Sequence, residues 1–322
     1  MMMNRKIWML LPALLGLVQS ALAQAGQWGV VNLSVCNIHA KADFASEMTT
    51  QGLLGMPVRI LGDERWYRVQ LPDAYTGWVH KKAVTLLTDD DMAAWNRAEK
   101  VVVKAHYGVV RMKADECSQA VADVVAGCRL KLLETKGKYY RVAYPDGRTG
   151  YLSRKVALRE REWRKQLKQD AASIVADAYT LMGVPYLWAG TSSKGVDCSG
   201  LVRTVFFMHD IFLPRDASQQ AKVGERLQIA PDFGNLQPGD LIFFGRKAVE
   251  GERERVTHVG ISLGGARFIH SQGDVHVSSL DAEDPLFDAF NLGRLLYANR
   301  VLPYVNRVEG INTTETNPFY AD

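Results

Sequence analysis

Residues 195–211 read GVDCSGLVRTVFFMHDI. Leu201, Val202, Val205 and Phe206 recur at helical spacing, so the stretch predicts a helix whose first turn holds Cys198. Backbone N–H groups at a helix start have no intrahelical partner and carry partial positive charge. That charge favours a thiolate and lowers the pKa of a thiol placed there. The same donors can bind the oxyanion that forms when the sulfur attacks a carbonyl. The bland reading is an inert buried thiol, the common fate of a helical cysteine. A base within reach distinguishes the two.

The candidates lie in THVGISLGGARFIHSQG, residues 257–273. From Thr257 to Leu263 the chain alternates, with His258, Gly260 and Ser262 on one strand face. A Gly-Gly turn returns it through ARFIH. His258 and His270 share a face only if an odd number of residues separates the paired strand ends. A three-residue loop, 264–266, pairs 263 with 267 and sets His270 opposite Gly260. That register is expected, because it brings two imidazoles together beside small side chains.

Working outward, residues 159–182 carry apolar side chains at three- and four-residue steps, from Trp163 to Leu181, and predict one amphipathic helix ending near Gly183. A loop rich in glycine and aromatics, GVPYLWAGTSSKGVD, joins it to Cys198. The first half repeats itself. WYRVQLPDAYTGWVHKKAV, from Trp66, aligns without gaps on YYRVAYPDGRTGYLSRKVA, from Tyr139, with eight of 19 positions identical. Each copy alternates bulky and polar residues, breaks at Pro-Asp and resumes through Thr-Gly, as a β-hairpin does. Two small all-β barrels are expected, over 27–88 and 100–158, with a charged linker between them. Tyr75 in the first copy becomes Arg148 in the second, so Tyr75 is a candidate contact residue; a solvent-facing aromatic without a task is the alternative.

At the N-terminus, Arg5 and Lys6 precede an apolar run from Ile7 to Val18, and small residues stand at Ala21 and Ala23. This is the layout of a secretory signal peptide, residues 1–23, cut after Ala23. The run falls short of the roughly 20 residues that span a bilayer. Losing Arg5 and Lys6 lowers the net charge from +4 to +2 (4 − 2), which predicts no nucleic-acid partner. No later segment is long and apolar enough to insert stably in a membrane. Of the four cysteines, Cys117 and Cys128 are close enough in sequence to bridge, Cys36 reads as a small buried hydrophobe, and Cys198 has no evident partner. No CxxC, HExxH or phosphate-binding glycine loop appears, so no metal or other cofactor is expected.

In order and spacing, DCSGL at 197–201, LQPGDLIFF at 236–244, HVGI at 258–261 and FIH at 268–270 resemble the NlpC/P60 family of cell-wall cysteine peptidases, over about residues 159–303. The repeats resemble bacterial SH3 domains, in which a W-Y-x-V…G-W-V pattern is typical. Together they resemble the γ-D-glutamyl-L-diamino-acid endopeptidase (YkfC-like) branch. The resemblance implies a multidomain chain: two SH3-like barrels followed by an α+β papain-like catalytic domain; residues 304–322 read as a C-terminal tail, whose polar stretch from Val308 to Asp322 is expected to fray. It implies Cys198 as nucleophile, His258 as general base, and His270 as the residue orienting it. Tyr186 would stand near the oxyanion with the Cys198 N–H, while Asp197, Ser199 and Trp188 would contact substrate. Asp216, with Glu47 and Tyr75 of the first SH3 unit, would hold a free N-terminal L-Ala.

The implied substrate is a murein peptide, L-Ala-γ-D-Glu-diamino acid, with diaminopimelate or lysine in third place. The signal-peptide layout implies an exported location, periplasmic or extracellular. The first SH3 unit would then be a wall across the cleft; a handle on intact peptidoglycan is the rival role. A non-catalytic wall-binding adaptor, or an amidase or acyltransferase using the same Cys-His pair, are the alternatives to the peptidase. Residues 245–256 read as a solvated charged loop.

Overall fold

The computed structural model describes residues 27–321; the expected signal peptide lies outside them. The two repeats form two seven-stranded antiparallel sheets, one over 28–87 and one over 100–159, and the strand order of the second repeats that of the first strand for strand. The duplicated turns match in detail. Leu71 N–H donates to the Tyr75 carbonyl and Tyr144 N–H to the Arg148 carbonyl, both at 2.8 Å. The second turn has Gly147 at φ 85°, where the first holds Ala74 at φ 64°. A non-glycine residue tolerates that left-handed region only under constraint.

The units share one core: Val31, Leu54 and Val69 of the first pack in a continuous cluster with Val101, Leu130 and Val142 of the second. The linker is a helix, α1 (Asp89–Arg97), capped by Thr88, with Met92 and Trp95 buried. The stretch expected as one helix over 159–182 is two, α2 (Glu160–Gln166) and α3 (Ala171–Thr180). Asp170 ends the continuity, because its side chain caps α3 by accepting from the Ser173 N–H at 2.8 Å.

Next come α4 (Cys198–Met208) and the short α5 (Ala217–Gln220). A six-stranded sheet follows, and α6 (Ala289–Gly293) precedes its last strand in sequence. Its order is 225–227, 295–300, 241–246, 255–264, 267–272, 274–279. Ile174, Leu201, Val202 and Val205 of the helices pack against Val259, Ile261 and Ile269 of the sheet. The central hairpin has the expected register, Ile261 opposite Ile269 and Ser262 opposite Phe268. It reaches that register differently: Gly264 pairs with Arg267, so the turn has two residues and Leu263 is bulged. The bulge supplies the odd residue.

One open alternative closes and one further expectation gives way. Cys117 and Cys128 are both free, Cys117 exposed on a turn and Cys128 buried with its thiol directed at the Ser34 carbonyl of the first unit. The tail is packed, not frayed. Ile311 joins the catalytic core, Phe212 N–H donates to the Asn312 carbonyl, and Phe319 sits edge-on to Trp28 of the first unit with centroids 5.5 Å apart. Its polar residues find backbone partners: Asn317 Nδ2 donates to the Pro72 carbonyl at 2.8 Å. The charged segment 246–255 is exposed throughout.

Candidate active site

The frame of the site is a capped helix. Asp197 precedes α4 and accepts from the Gly200 N–H at 2.7 Å and, through its other oxygen, from the Ala189 N–H at 3.0 Å. Gly200 is required there, since a Cβ would stand 1.9 Å from the Gly190 carbonyl oxygen. Beneath the cap lies Arg215, which sequence reading missed. It is fully buried, and its guanidinium meets both Asp197 oxygens, at 2.5 and 3.2 Å, and Ser199 Oγ at 2.9 Å. The Asp197 and Ser199 side chains, expected against substrate, are therefore already engaged inside the protein.

Cys198 is the first residue of α4 and is buried. Burial, reinforced by the Asp197 charge, pushes the thiol up to about 11, against the Val259 and Ser199 N–H groups, which favour the thiolate. The helix-start argument from sequence thus gave the wrong net sign: removal from water outweighs the local donors. Cys198 packs in one core cluster with Val259, which directly follows His258.

His258 Nε2 and His270 Nδ1 are 2.8 Å apart, and His270 Nε2 is 3.0 Å from Ser278 Oγ. Both histidines are buried. Burial, with neighbouring cationic groups, holds His258 well below the ordinary imidazole value and His270 at about 3. Both imidazoles are neutral at physiological pH. Ser278 and His276, whose ring lies 4.5 Å from that of His270, are further neighbours that no motif marks. Tyr186 is fixed by its N–H to the Gly273 carbonyl, and burial together with the Cys198 and Asp197 charges pushes its hydroxyl up to about 12. It stays a donor.

The first SH3 unit reaches this site at two places. Glu47 Oε1 accepts from Trp188 Nε1 at 3.0 Å. Burial and the nearby Asp216 carboxylate push the Tyr75 hydroxyl up, with Arg215 opposing them. The dock is secured by Arg203 of α4, which pairs with Asp73 at 2.7 Å, and by Gln51, whose side-chain oxygen accepts from the Thr191 N–H at 2.9 Å. Arg148, the counterpart of Tyr75, is far from this role. It stacks on Tyr144 and donates to the Asn32 carbonyl, joining the two SH3 units.

Comparison with known proteins agrees with this architecture. Residues 183–290 match the NlpC/P60 family and residues 38–84 the bacterial dipeptidyl-peptidase SH3 domain. A γ-D-glutamyl-L-lysine dipeptidyl-peptidase of Bacillus cereus is 30% identical over 238 residues, 70% of this chain and 68% of its own. Dipeptidyl-peptidase 6 of Lysinibacillus sphaericus is 26% identical over 80% of this chain and 93% of its own. The crystal structure of an NlpC/P60 family protein from Bacillus cereus superposes with a TM-score of 0.72 at 23% identity, covering 86% of this chain and all of that one. The SH3-like units, the helix-on-sheet domain behind them and this relationship lead to one assignment: the chain belongs to the NlpC/P60 family of cysteine peptidases and is a hydrolase.

Proposed function

We propose that the enzyme hydrolyses the γ-D-glutamyl–diamino-acid bond of short murein peptides bearing a free N-terminal L-Ala, and releases the dipeptide L-Ala-γ-D-Glu. The observation that carries this reading is the wall. Glu47 and Asp216 place two carboxylates, one on each side of the domain junction, where the first SH3 unit closes over the cleft. A peptide ammonium taken out of water needs such a partner. The wall favours an N-terminus over a continuing chain, and the names of the two relatives, both dipeptidyl-peptidases, agree with release of a dipeptide.

In this reading the Cys198 thiol attacks the γ-carbonyl as His258 takes its proton. His258 Nε2 already faces His270, so Nδ1 is the basic nitrogen. That fixes a chain of tautomers: His258 Nε2–H donates to His270 Nδ1, and His270 Nε2–H donates to Ser278. The Cys198 N–H and the Tyr186 hydroxyl donate to the oxyanion. On its collapse the C–N bond breaks, and His258 returns the proton to the leaving amine. Water, deprotonated by His258, then cleaves the thioester. The resting pair is a neutral thiol and a neutral imidazole, so proton transfer accompanies attack and does not precede it. The N-terminal Arg-Lys, apolar and small-residue layout supports work outside the cytoplasm.

Mass spectrometry of products from L-Ala-γ-D-Glu-L-Lys and its diaminopimelate counterpart tests the reading. The expected products are L-Ala-γ-D-Glu and the free diamino acid, absent with Cys198→Ala. Cleavage elsewhere, or turnover by that variant, refutes it.

A further inference from the structure

Arg294 immediately precedes the 295–300 strand. Across the sheet Leu295 pairs with Phe244, and Phe244 with His258. The Arg294 guanidinium lies 5.9 Å from the Phe244 ring, whose centroid is 5.7 Å from that of His258. Nη1 also points to Oγ1 of Thr257, the residue before His258, at 3.4 Å. An arginine therefore stands beside the catalytic row.

It is held in place. Nε and Nη2 both donate to Asn291 Oδ1, at 2.9 and 2.7 Å. Asn291 is fully buried and is itself fixed by Asp288 and Gln272. Phe290 lies against the guanidinium at 4.5 Å. Among the described residues, its hydrogen bonds go only to neutral oxygens, and one N–H on each terminal nitrogen remains. A half-buried cation aimed by an amide, with no carboxylate in an ion pair, is poised for an anion that arrives.

Its position suggests which anion. The first SH3 unit closes the cleft through Glu47–Trp188 and Tyr75–Asp216, where the substrate amino terminus would sit. The segment bearing Arg294 is open, with Phe290 64% exposed. We propose that Arg294 anchors a carboxylate of the leaving half of the substrate and makes the enzyme prefer diaminopimelate to lysine in third place. This rests on the peptidase reading above. Diaminopimelate carries a carboxylate on the side-chain carbon next to its ammonium. Lysine has only the ammonium there, which a guanidinium repels.

The test measures kcat/KM for the wild type, Arg294→Gln and Arg294→Lys. The four peptides are L-Ala-γ-D-Glu-meso-diaminopimelate, L-Ala-γ-D-Glu-L-Lys, the C-terminal amide of the latter, and its D-isoglutamine analogue. A wild-type preference for the diaminopimelate peptide of about tenfold or more is expected. Arg294→Gln should erase it mainly through KM, and Arg294→Lys should keep part. A loss shared by all peptides with a free C-terminal carboxylate, and absent from the amide, assigns the contact to the α-carboxylate and overturns the preference for diaminopimelate. Equal loss on all four, no loss, a wild-type preference for lysine, or a loss absent only with D-isoglutamine overturns it. Should the wild type cleave none of the peptides, the peptidase reading itself falls; cleavage unaffected by Arg294 removes only the anchor.

Discussion

Tyr75, on a turn of the first SH3 unit, stands close enough to Asp216 at the start of α5 in the catalytic domain for that carboxylate to help raise its hydroxyl. One polar contact thus joins a repeated structural unit to the catalytic domain, at the position where the two repeats differ. Tyr75→Phe keeps the ring and removes the donor. It should raise KM for the free-amino tripeptide about fivefold or more, the worth of one hydrogen bond to a charged group, and narrow the gap between free and N-acetylated substrates. Arg148→Ala, which alters the equivalent turn, should leave both KM values unchanged. Equal effects of the two substitutions would remove the wall from the account of specificity.

The thiol of Cys198 is raised, so its sign in a labelling experiment is fixed. With the thiol near 11, the thiolate fraction of the free enzyme grows as pH rises through the alkaline range. Iodoacetamide inactivation should be slow at pH 7 and still accelerating at pH 9. A rate that levels off below pH 6 would mean a preformed thiolate–imidazolium pair.

His270 is buried and neutral, held at about 3 by removal from water and the nearby His276. In the unfolded chain it titrates near 6.5. Above that value neither state carries the proton, and the group costs nothing. Between 6.5 and about 3 the unfolded state is protonated while the folded one is not, so stability falls as pH falls, by about 1.4 kcal/mol per pH unit at most for this group. Acid unfolding followed by circular dichroism should show that slope. His270→Asn should flatten it and lower kcat, because His258 loses its aligned partner; an unchanged slope would mean that the ring is hydrated.

Arg215 and Asp197 form a buried pair under α4. Arg215→Met leaves the Asp197 carboxylate uncompensated inside the protein and should cost about 3–5 kcal/mol in urea unfolding. Arg215→Lys, a single point charge, cannot meet both Asp197 oxygens and Ser199, and should recover only part. A loss under 1 kcal/mol would show that water reaches the pair.

These residues also mark what could be read from the sequence. The start of α4 at Cys198, the facing of His258 and His270, and the SH3 duplication are legible because each is a local periodicity or a repeat. The break at Asp170 was hidden, because the apolar spacing runs on through a residue whose capping role depends on its own rotamer. Arg203 and Arg215 carried a weak signal: a cation in or beside an apolar helix must find a partner, yet nothing local says which. Asn291 and Arg294 carried none, since their place beside His258 is set by strand order. The thiol's direction failed for the same reason. Helix starts are local and burial is not.

Asn317 and Phe319 dock on Pro72 and Trp28, so residues emerging late from the ribosome cover those that emerged early. The turn bearing Tyr75 receives this support only after residues 317–319 have been made. A nascent chain that has finished its two SH3 units still lacks part of the brace behind the Tyr75 turn, and gains it only once residues 317–319 have been made.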